Sequence, residues 1–340
     1  MRRSHTRWRF VVAVVATVAS ATAIVSPAPA SAVPADLSSV AAQVEPAVAR
    51  IDTTINYQHA IGAGTGFVLD AGGALLTNFH VVQGADKVTA TIAGRPYRAD
   101  LVGYDRHRDI AVLQLRGAAD LPVAPIGDSA QLAVGDEVVA LGNADGSGNS
   151  LTHEAGHVIG LNRTITAKDE LTGSSEQVTG LIQFAAPVRA GDSGGPLVSA
   201  DGRVVGMTTA ATLNYRMGPG GEGFAIPINE AMATAAQIRA GTASNNIHIG
   251  QPTLLGVGVG GPDEHSQLPG VLIRDVISGG PAQIAGMVPG DVLVSIDAVT
   301  VSSAGALTSV LDRHYPGDVV ELFWIDRAGQ QHTAKTALTS

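Results

Sequence analysis

Cysteine is absent from the 340-residue chain, which excludes disulfide bonds, thiolate metal ligands and cysteine nucleophiles. Aromatic residues are also scarce at 4%, whereas 45% of the residues are hydrophobic and 41 are glycine. This balance is typical of β-rich domains whose short strands are joined by many turns. Basic residues are in deficit, with 21 Lys and Arg against 30 Asp and Glu. Because phosphate backbones are bound by clusters of Lys and Arg, no nucleic-acid partner is predicted.

The first 32 residues have the pattern of a signal peptide that is removed on export. Four arginines stand between positions 2 and 9, an apolar stretch runs from 10 to 25, and Ala30-Ser31-Ala32 matches a cleavage site. The apolar stretch is short for a membrane span, which favours cleavage after Ala32 over an uncleaved anchor. We therefore expect a secreted or cell-envelope protein with no stable membrane span. Loss of the four arginines takes its formal charge from −9 to −13.

The rest of the sequence divides into two folded regions joined by a linker. Between residues 37 and 240, short apolar segments alternate with turn residues at intervals that predict barrels or sandwiches instead of βαβ units. Asn229 is positioned to cap a helix that runs to Arg239. The small, polar segment 241–252 is the predicted linker, and 253–340 holds four predicted strands and two predicted helices. The predicted fold class is mainly β, with a small α/β domain at the C-terminal end.

A glycine-rich hexapeptide, Gly191–Pro196 (GDSGGP), is the strongest chemical signal in the sequence. A serine hydroxyl attacks a carbonyl only if a base accepts its proton and hydrogen-bond donors stabilise the resulting oxyanion. The backbone N–H groups of Gly191 and Ser193 are the candidate donors, because glycine can adopt the turn that directs both to one point. On its own, the hexapeptide is also compatible with a simple tight turn.

His80 and Asp109 are candidates for the base and the acid that such a serine needs. His80 stands at the end of an apolar segment that is predicted to be a strand, and Asp109 directly precedes another. Each residue taken alone is more often structural than catalytic. If they meet Ser193, His80 would accept its proton, and Asp109 would hold the ring tautomer and stabilise the imidazolium. The chain order is His, Asp, Ser, with gaps of 29 and 84 residues.

Several motifs around these residues resemble the signatures of HtrA-type (DegP-like) serine proteases. Those of the protease part are Thr77–Val82, Arg108–Leu113, Gly191–Leu197 and a segment similar to the family's final strand, Gly223–Ile228. The C-terminal stretch resembles a PDZ domain in two places, Leu255–Val257 and Pro289–Leu293. The likeness covers most of the chain after the leader, in the same order. It is closest to the secreted, PepA-like members from actinobacteria.

The resemblance implies a chymotrypsin-like double β-barrel with His80, Asp109 and Ser193 in the cleft between the barrels, followed by a PDZ domain. It implies an endopeptidase that hydrolyses misfolded or extracellular proteins through an acyl-enzyme, with no cofactor. In the PDZ domain a C-terminal peptide tail would add as a β-strand. Its carboxylate would be received by the N–H groups of Leu255, Gly256 and Val257.

Some residues depart from the family pattern. Asp192 stands where the family more often has Asn, and no Ile-Val-Gly-Gly sequence is present whose cleaved N-terminus would pair with it. Ala185–Val188 replaces the usual Asp-Ala-Ala-Ile, so the serine loop could be shaped differently. A proteolytically latent peptide-binding chaperone or scaffold is therefore the alternative prediction. Short insertions after the first strands argue against large cages and leave a homotrimer open.

Residues near the predicted cleft also give expectations about substrate contacts. Thr209, Ala210 and Ala211 are the predicted substrate-binding residues, with the two alanines beside the substrate as an antiparallel strand. Thr209 falls where the family places a hydroxyl near the catalytic aspartate, and an exposed strand threonine is an equally good interpretation. Segment 181–189 would line the primary specificity pocket. It contains no acid, which predicts small or medium apolar side chains instead of Lys or Arg.

One further motif predicts a different chemistry. His153, Glu154 and His157 match H-E-x-x-H, in which two helical histidines bind zinc and the glutamate activates water. A third ligand would fall at Arg163, which cannot bind a cation. The following residues are rich in glycine and β-branched side chains, which favours a strand. A zinc metalloprotease is therefore the disfavoured alternative, and no metal site is predicted. Incidental metal binding by the two histidines stays open.

Overall fold

The computed structural model describes residues 35–55, 60–146, 150–168, 175–209, 221–259 and 270–340. The predicted signal peptide, together with Ala210 and Ala211, lies outside the described residues. Within them, no helix combines the length and the apolar character that a membrane crossing requires. The α-helices are α1 (Ala35–Val44), α2 (Phe79–Val82), α3 (Ile228–Arg239), α4 (Pro281–Ala285) and α5 (Ala304–Leu311).

The first sheet is a barrel that carries His80 and Asp109 at one end. Its strands are β1 (Val48–Ile55), β2 (Ala60–Val68), β3 (Ala74–Thr77), β4 (Lys87–Ile92), β5 (Arg95–Asp105) and β6 (Ile110–Leu115). They run in the order β5-β4-β1-β2-β3-β6, and pairing of β5 with β6 closes the ring. Side chains on the inner face form an apolar core that includes Ile51, Leu75, Tyr104 and Leu113.

Antiparallel pairing of β3 with β6 positions the first half of the candidate site. Thr77, the last residue of β3, lies opposite Ala111 near the start of β6. The chain therefore leaves β3 at the same end of the barrel at which it enters β6. His80 follows β3 and Asp109 precedes β6, so the register brings them together although they are 29 residues apart.

The second sheet is a closed barrel whose connecting loop carries the serine. Its strands are β7 (Glu137–Gly142), β8 (Thr152–Lys168), β9 (Ser175–Ala185), β10 (Pro196–Ser199), β11 (Val204–Thr209) and β12 (Gly223–Pro227), in the order β10-β11-β12-β9-β8-β7. Its core includes Val138, Phe184, Leu197 and Ala225. The loop 186–195 joins β9 to β10, and Ser193 stands near its end. The predicted pair of β-barrels is confirmed.

A shorter strand, β13 (Ile247–Ile249), extends the first barrel from within the predicted linker 241–252. It pairs with β5 and sets His248 opposite Tyr104. The two isoleucines favour a strand, and Ile247 is buried in an apolar cluster that also includes Ile238 of helix α3. The segment is therefore not a free connection, although its small polar residues suggested one. The boundaries 37–240 and 253–340 stay predictions.

The third sheet belongs to the C-terminal domain. Its strands are β14 (Val257–Val259), β15 (Val271–Val276), β16 (Val292–Ile296), β17 (Val299–Thr300), β18 (Val319–Ile325) and β19 (Gln331–Ala337). The order is β14-β15-β16-β18-β19, with β17 paired to β16. The sheet and helices α4 and α5 enclose a core that includes Leu255, Ile273, Leu293, Leu307 and Trp324. The predicted small α/β domain is confirmed.

Helix α3 ends at Arg239 as predicted, but its start differs from the prediction. The residue before its first turn is Pro227, and no side chain caps the helix there. Asn229, the predicted cap, lies inside the helix, where its side chain accepts the Ser129 N–H at 3.2 Å and donates to Asp128 at 2.6 Å. A tertiary contact with a neighbouring turn has therefore taken the amide that the prediction assigned to the helix end.

Candidate active site

His80 and Asp109 form a directly bonded pair at the end of the first barrel. Oδ2 of Asp109 lies 2.7 Å from Nδ1 of His80, and Oδ1 accepts the His80 backbone N–H at 2.9 Å. His80 lies on the short helix α2, not at the strand end that was predicted. Because a carboxylate accepts this hydrogen bond, Nδ1 carries the ring hydrogen and the basic lone pair of the imidazole lies on Nε2. Nε2 is therefore the basic atom of the pair.

The backbone of Asp109 is held as firmly as its side chain. Its φ is 55°, in the left-handed region that aspartate tolerates better than most residues. Its N–H donates to the carbonyl of Arg106 at 3.1 Å. Its carbonyl accepts the Phe79 N–H at 3.2 Å and the side-chain amide of Asn78 at 2.9 Å. These bonds fix the angle at which the carboxylate meets the His80 ring.

The serine loop of the second barrel lies directly against the strand end that leads to His80. The carbonyl of Ser193 accepts the Thr65 N–H at 2.8 Å. Gly194 is so close to the first barrel that an added Cβ would overlap the Thr65 carbonyl oxygen and the Thr77 hydroxyl. The same Cβ would lie 3.1 Å from the backbone nitrogen of Asn78, two residues before His80. The structure therefore brings Ser193 and the His80–Asp109 pair to one cleft between the barrels.

Thr209 makes a further contact between the barrels. Its hydroxyl, at the end of β11, donates to Oδ2 of Asp109 at 3.3 Å, and both groups are buried. Oδ2 thus accepts from the His80 ring and from Thr209 together. Contact of Thr209 with substrate stays a prediction, and Ala210 and Ala211 lie outside the described residues.

In the turn before Ser193, two backbone carbonyl groups accept hydrogen bonds from other segments of the protein. The Ala190 carbonyl accepts the Asp145 N–H at 2.7 Å, and the Gly191 carbonyl accepts the Thr65 hydroxyl at 2.6 Å. Gly191 has a φ of 96°, and an added Cβ would overlap the Asn143 carbonyl oxygen. In the part of the chain that the structure describes, the Gly191 N–H donates to no other group. It can therefore serve an external acceptor.

Asp192 is fully buried next to the serine, and its carboxylate is bonded within the second barrel. Oδ2 accepts the Arg189 N–H at 2.8 Å, and Oδ1 accepts the Thr152 hydroxyl at 3.1 Å. Gly142 provides the space, since a Cβ there would overlap Oδ1. Burial raises the pKa of Asp192, and its hydrogen bonds oppose that rise. As the sequence predicted, the carboxylate pairs elsewhere than with a cleaved N-terminus.

The predicted carboxylate-binding loop of the C-terminal domain is a turn at the start of an edge strand. Gly256 has a φ of 77°, which favours glycine. The carbonyls of Leu255 and Gly256 accept the N–H groups of Ala282 and Ile277, both at 2.9 Å. Val257 begins β14, which pairs with β15 at one edge of the described sheet. The turn therefore has its carbonyls bound inward and leads into a strand that lies at the edge of the sheet formed by the described residues.

Comparisons with known proteins assign both regions. A family model described as a trypsin-like peptidase domain matches residues 64–207, and one described as a PDZ domain matches residues 253–338. The putative serine protease HhoA of Synechocystis sp. is 35% identical over 265 residues, which cover 74% of this chain and 64% of HhoA. A probable periplasmic DegP-like serine endoprotease of Halomonas elongata is 35% identical over 263 residues, covering 76% of this chain and 52% of that protein.

A solved structure gives the same assignment. The HtrA-type protease AlgW with a tripeptide superposes with a TM-score of 0.50 at 28% identity, covering 89% of this chain and 96% of that one. The present chain is an HtrA/DegP-like protein. It spans 64% and 52% of the length of the two curated relatives.

The H-E-x-x-H motif of this HtrA-like protein lies on strand β8, so the helix that a zinc site of this type requires is not formed. Four residues of strand separate the α-carbons of His153 and His157 by roughly 13 Å. His153 Nε2 lies 3.0 Å from a carboxylate oxygen of Glu45, and Glu154 accepts a hydrogen bond from Arg189 at 3.3 Å. Within the described ranges, no three His, Asp or Glu side chains cluster as metal ligands. The zinc metalloprotease alternative is therefore wrong.

The sequence did not single out Thr65, which ties together several parts of the HtrA-like site. Its hydroxyl donates to the Gly191 carbonyl and accepts the Asn143 N–H at 2.9 Å, while its own N–H donates to the Ser193 carbonyl. Thr65 is completely buried. A polar residue with glycine on both sides in an otherwise apolar strand was the available signal, because such glycines let another backbone approach closely.

Proposed function

We propose that this HtrA-like protein is an exported serine endopeptidase in which Ser193, His80 and Asp109 act as one catalytic unit. The observation that carries the proposal is the Asp109 carboxylate, which bonds both Nδ1 and the backbone N–H of His80. This arrangement orients a neutral imidazole whose Nε2 can accept a proton from Ser193. The relatives that are named serine proteases support the same activity.

Acylation follows from this geometry. Ser193 Oγ attacks the carbonyl carbon of the scissile peptide bond while its proton passes to Nε2 of His80. The hydrogen bond from Nδ1 to Asp109 becomes charge-assisted as the imidazolium forms, which stabilises that ion. His80 then gives the proton to the departing amine, and the C–N bond breaks to leave an ester on Ser193. A water molecule hydrolyses the ester, with His80 again as base, and releases the carboxylic acid.

The N–H groups of Gly191 and Ser193 are proposed to bind the oxyanion of each tetrahedral intermediate. The bonds that engage the carbonyls of Ala190 and Gly191 support this role, because a carbonyl in that space would repel the oxyanion. The donors are backbone groups in a turn held by neighbouring bonds, so they need no reorganisation during the reaction. Removal of one such donor in other enzymes costs about 100- to 1000-fold in kcat.

Small or medium apolar side chains are the proposed preference of the primary specificity pocket. Phe184 and Val188, from segment 181–189, are buried, and Gly223 packs against both. A Cβ on Gly223 would overlap the Phe184 ring and lie 2.8 Å from a methyl of Val188. The Arg189 guanidinium is paired with Asp145 at 3.0 Å and Glu154 at 3.3 Å. An apolar wall without an acid gives no partner to a Lys or Arg side chain.

The PDZ domain is proposed to bind C-terminal peptide tails through the N–H groups of Leu255, Gly256 and Val257. The inward-bound carbonyls of the turn and the edge position of β14 in the described sheet support this role, since a peptide could add there as a further strand. The tripeptide present with AlgW in its structure is consistent with peptide recognition in such proteins.

Export and assembly are proposed on different grounds. The signal-peptide pattern in residues 1–32 supports export with cleavage after Ala32, and a relative described as periplasmic supports a cell-envelope or secreted location. Misfolded or extracellular proteins are the proposed substrates. A homotrimer is the proposed assembly, and sedimentation of the mature protein would test it.

Labelling by a fluorophosphonate probe tests the proposed activity, because the probe reacts with a serine that has an activated hydroxyl. We expect label on Ser193 of the wild-type protein, no label on Ser193→Ala, and no effect of a chelator on either protein. Absence of label from folded wild-type protein, even with C-terminal peptides added, would favour the latent chaperone or scaffold. Chelator-sensitive turnover that survives Ser193→Ala would contradict the serine mechanism.

A further inference from the structure

We propose that Asp312 of the PDZ domain is a positioning residue for the His80–Asp109 pair of the peptidase domain. The inference rests on the proposed function. Asp312 directly follows helix α5, and its carboxylate is bonded to the other domain. Oδ1 accepts the Tyr104 hydroxyl at 2.6 Å and Nη2 of Arg106 at 3.2 Å, and Oδ2 accepts Nε of Arg106 at 2.8 Å.

The contact of Asp312 with Arg106 and Tyr104 has a well-defined geometry. The guanidinium of Arg106 meets the Asp312 carboxylate with two nitrogens, the bidentate arrangement that gives the strongest angular control. The two side chains are only 11% and 21% exposed, so solvent screens the pair weakly. Burial and the nearby Asp312 carboxylate raise the pKa of Tyr104, which keeps its hydroxyl protonated as a donor at neutral pH.

A column of stacked rings continues the contact to the residue before His80. Phe79 stacks on Tyr104 with ring centroids 4.2 Å apart, and Tyr104 stacks on His248 at 5.1 Å. His248 in turn stacks on Tyr315 of the PDZ domain at 4.7 Å, while its Nδ1 lies 2.9 Å from the carbonyl oxygen of Asp312. The column therefore begins at α2, which carries His80, and ends next to α5.

Arg106 links this interface to both members of the catalytic pair. Its guanidinium carbon lies 4.6 Å from the centroid of the Phe79 ring, directly before His80. Its backbone carbonyl accepts the Asp109 N–H at 3.1 Å and closes the turn that gives Asp109 its left-handed φ. A shift of Arg106 would therefore displace both Phe79, which precedes His80, and the turn that holds Asp109. Asp312 fixes Arg106 from the other domain.

Asp312→Asn tests the proposal in the full-length mature protein. The substrate is a short peptide blocked at both ends, so that no free carboxylate engages the PDZ loop. We expect kcat to fall about 10-fold with KM unchanged, since misplacement of a catalytic group by about 1 Å can cost about 100-fold and a smaller shift costs less. The low-field proton resonance of the His80–Asp109 hydrogen bond, identified by its loss in His80→Ala, should shift or broaden.

Asp326→Asn is the matched control. Asp326 is another partly buried carboxylate of the PDZ domain, but its partner, His332 at 2.9 Å, belongs to the same domain. We expect this variant to keep the wild-type kcat and the wild-type low-field resonance. Tyr104→Phe removes only one hydrogen bond to Asp312 and keeps the ring stack, so it should lower kcat by a few-fold. If Asp312→Asn does not fold, Tyr104→Phe serves as the test in its place.

A double-variant cycle separates positioning from mere attachment of the domains. Arg106→Met and Asp312→Asn act through one contact, so we expect the double variant to lose no more turnover than the worse single variant. If Asp312 only holds the domains together, Asp312→Asn would lower the melting temperature and leave kcat and the low-field resonance unchanged. That result, with wild-type protein still labelled on Ser193, would overturn the inference and leave the proposed function standing.

Discussion

The two halves of the candidate site are held in place by different kinds of contact. On the first barrel, His80 and Asp109 are fixed by bonds that involve their own side chains, at 2.7 and 2.9 Å. On the second barrel, Ser193 is fixed by the backbone of its loop, whose carbonyl accepts the Thr65 N–H. The loop reaches that contact because its glycines leave no side chain in the way. The positions of His80 and Asp109 therefore depend on their functional groups. The position of Ser193 depends on how closely two backbone segments can approach.

Close backbone approach is a property of the whole serine loop. Added Cβ atoms on Gly191, Gly194 and Gly195 would each overlap a backbone oxygen of another segment. His80 and Asp109 are instead held by hydrogen bonds of their functional groups. Substitutions on the two halves should consequently fail in different ways. On the first barrel they should lower turnover while folding is retained, and in the loop they should impair both.

Among substitutions that leave Ser193, His80 and Asp109 in place, Gly194→Ala is expected to have the largest effect. Its Cβ would overlap Thr65 and Thr77, and its φ of 85° would be strained with any side chain. We expect at least about 100-fold loss of turnover, because the loop must move away from the His80–Asp109 pair. The free energy of unfolding should also fall. Peptide hydrolysis and urea unfolding measure the two effects.

Gly94→Ala is the matched control for backbone strain. Gly94 has a similar φ of 78° in a hairpin, but nothing lies within 4 Å of its added Cβ. We expect a loss of about 1 kcal/mol in the free energy of unfolding and wild-type turnover. Equal loss of turnover in both glycine variants would contradict the claim that close approach, and not conformation alone, positions the serine loop.

Thr209→Val tests the contact by which the second barrel touches the aspartate. The valine removes the hydrogen bond of 3.3 Å to Asp109 at nearly constant volume. We expect kcat to fall about 10-fold with folding retained, because one donor to a charged group is lost.

The control for Thr209→Val is its neighbour. Thr208 is also completely buried, but its hydroxyl has no hydrogen-bond partner among the described residues. Thr208→Val should therefore leave kcat unchanged and raise the free energy of unfolding by about 1 kcal/mol. An equal fall in kcat for the two variants would remove the specific role of the Thr209 hydroxyl.

Asp192→Asn should have the smallest effect on turnover, within about twofold, because asparagine keeps the shape and the acceptor for the Arg189 N–H. Its amide can donate to the Thr152 hydroxyl, which then donates to the Gly142 carbonyl at 3.0 Å. Burial raises the pKa of Asp192 in the folded state above its value in the unfolded chain. Between these two pKa values the native protein binds more protons than the unfolded chain, so the native protein loses stability as pH rises through this range.

The measurement for Asp192→Asn is urea unfolding at several pH values. At neutral pH the cost of the buried charge is fully present, and the variant should be more stable than wild type by about 1 kcal/mol. Below about pH 4 the wild-type carboxyl is protonated and the advantage should shrink. An advantage that stays constant over this range would show that the buried charge is not its source.

The sequence predicted the parts of the site that depend on side-chain chemistry. Candidate nucleophile, base and acid were recognised at Ser193, His80 and Asp109 because few residue types can do this chemistry and each lies in a distinctive local motif. The serine loop was also recognised, since its glycines mark a tight turn. Short apolar segments separated by turn residues predicted barrels or sandwiches, and the resemblance to HtrA-type proteases narrowed this prediction to a pair of barrels.

What the sequence did not reveal depends on contacts between distant segments. The bond from Arg106 to Asp312 joins residues 206 positions apart, and no local pattern announces it. Strand β19 was missed because its residues are largely exposed and polar, so no apolar alternation marks it. Asn229 was assigned to a helix cap because local propensity favours that role, and a contact with Ser129 overrode it.

The central claim is that Ser193 and His80, on separate barrels, work as one unit. The most direct measurement is kcat for His80→Ala, Ser193→Ala and the double variant, each checked for folding by thermal unfolding. The account predicts that each single change costs about 10⁶-fold and that the double change costs no more than the larger single loss. Additive losses, or turnover retained by folded His80→Ala, would contradict it.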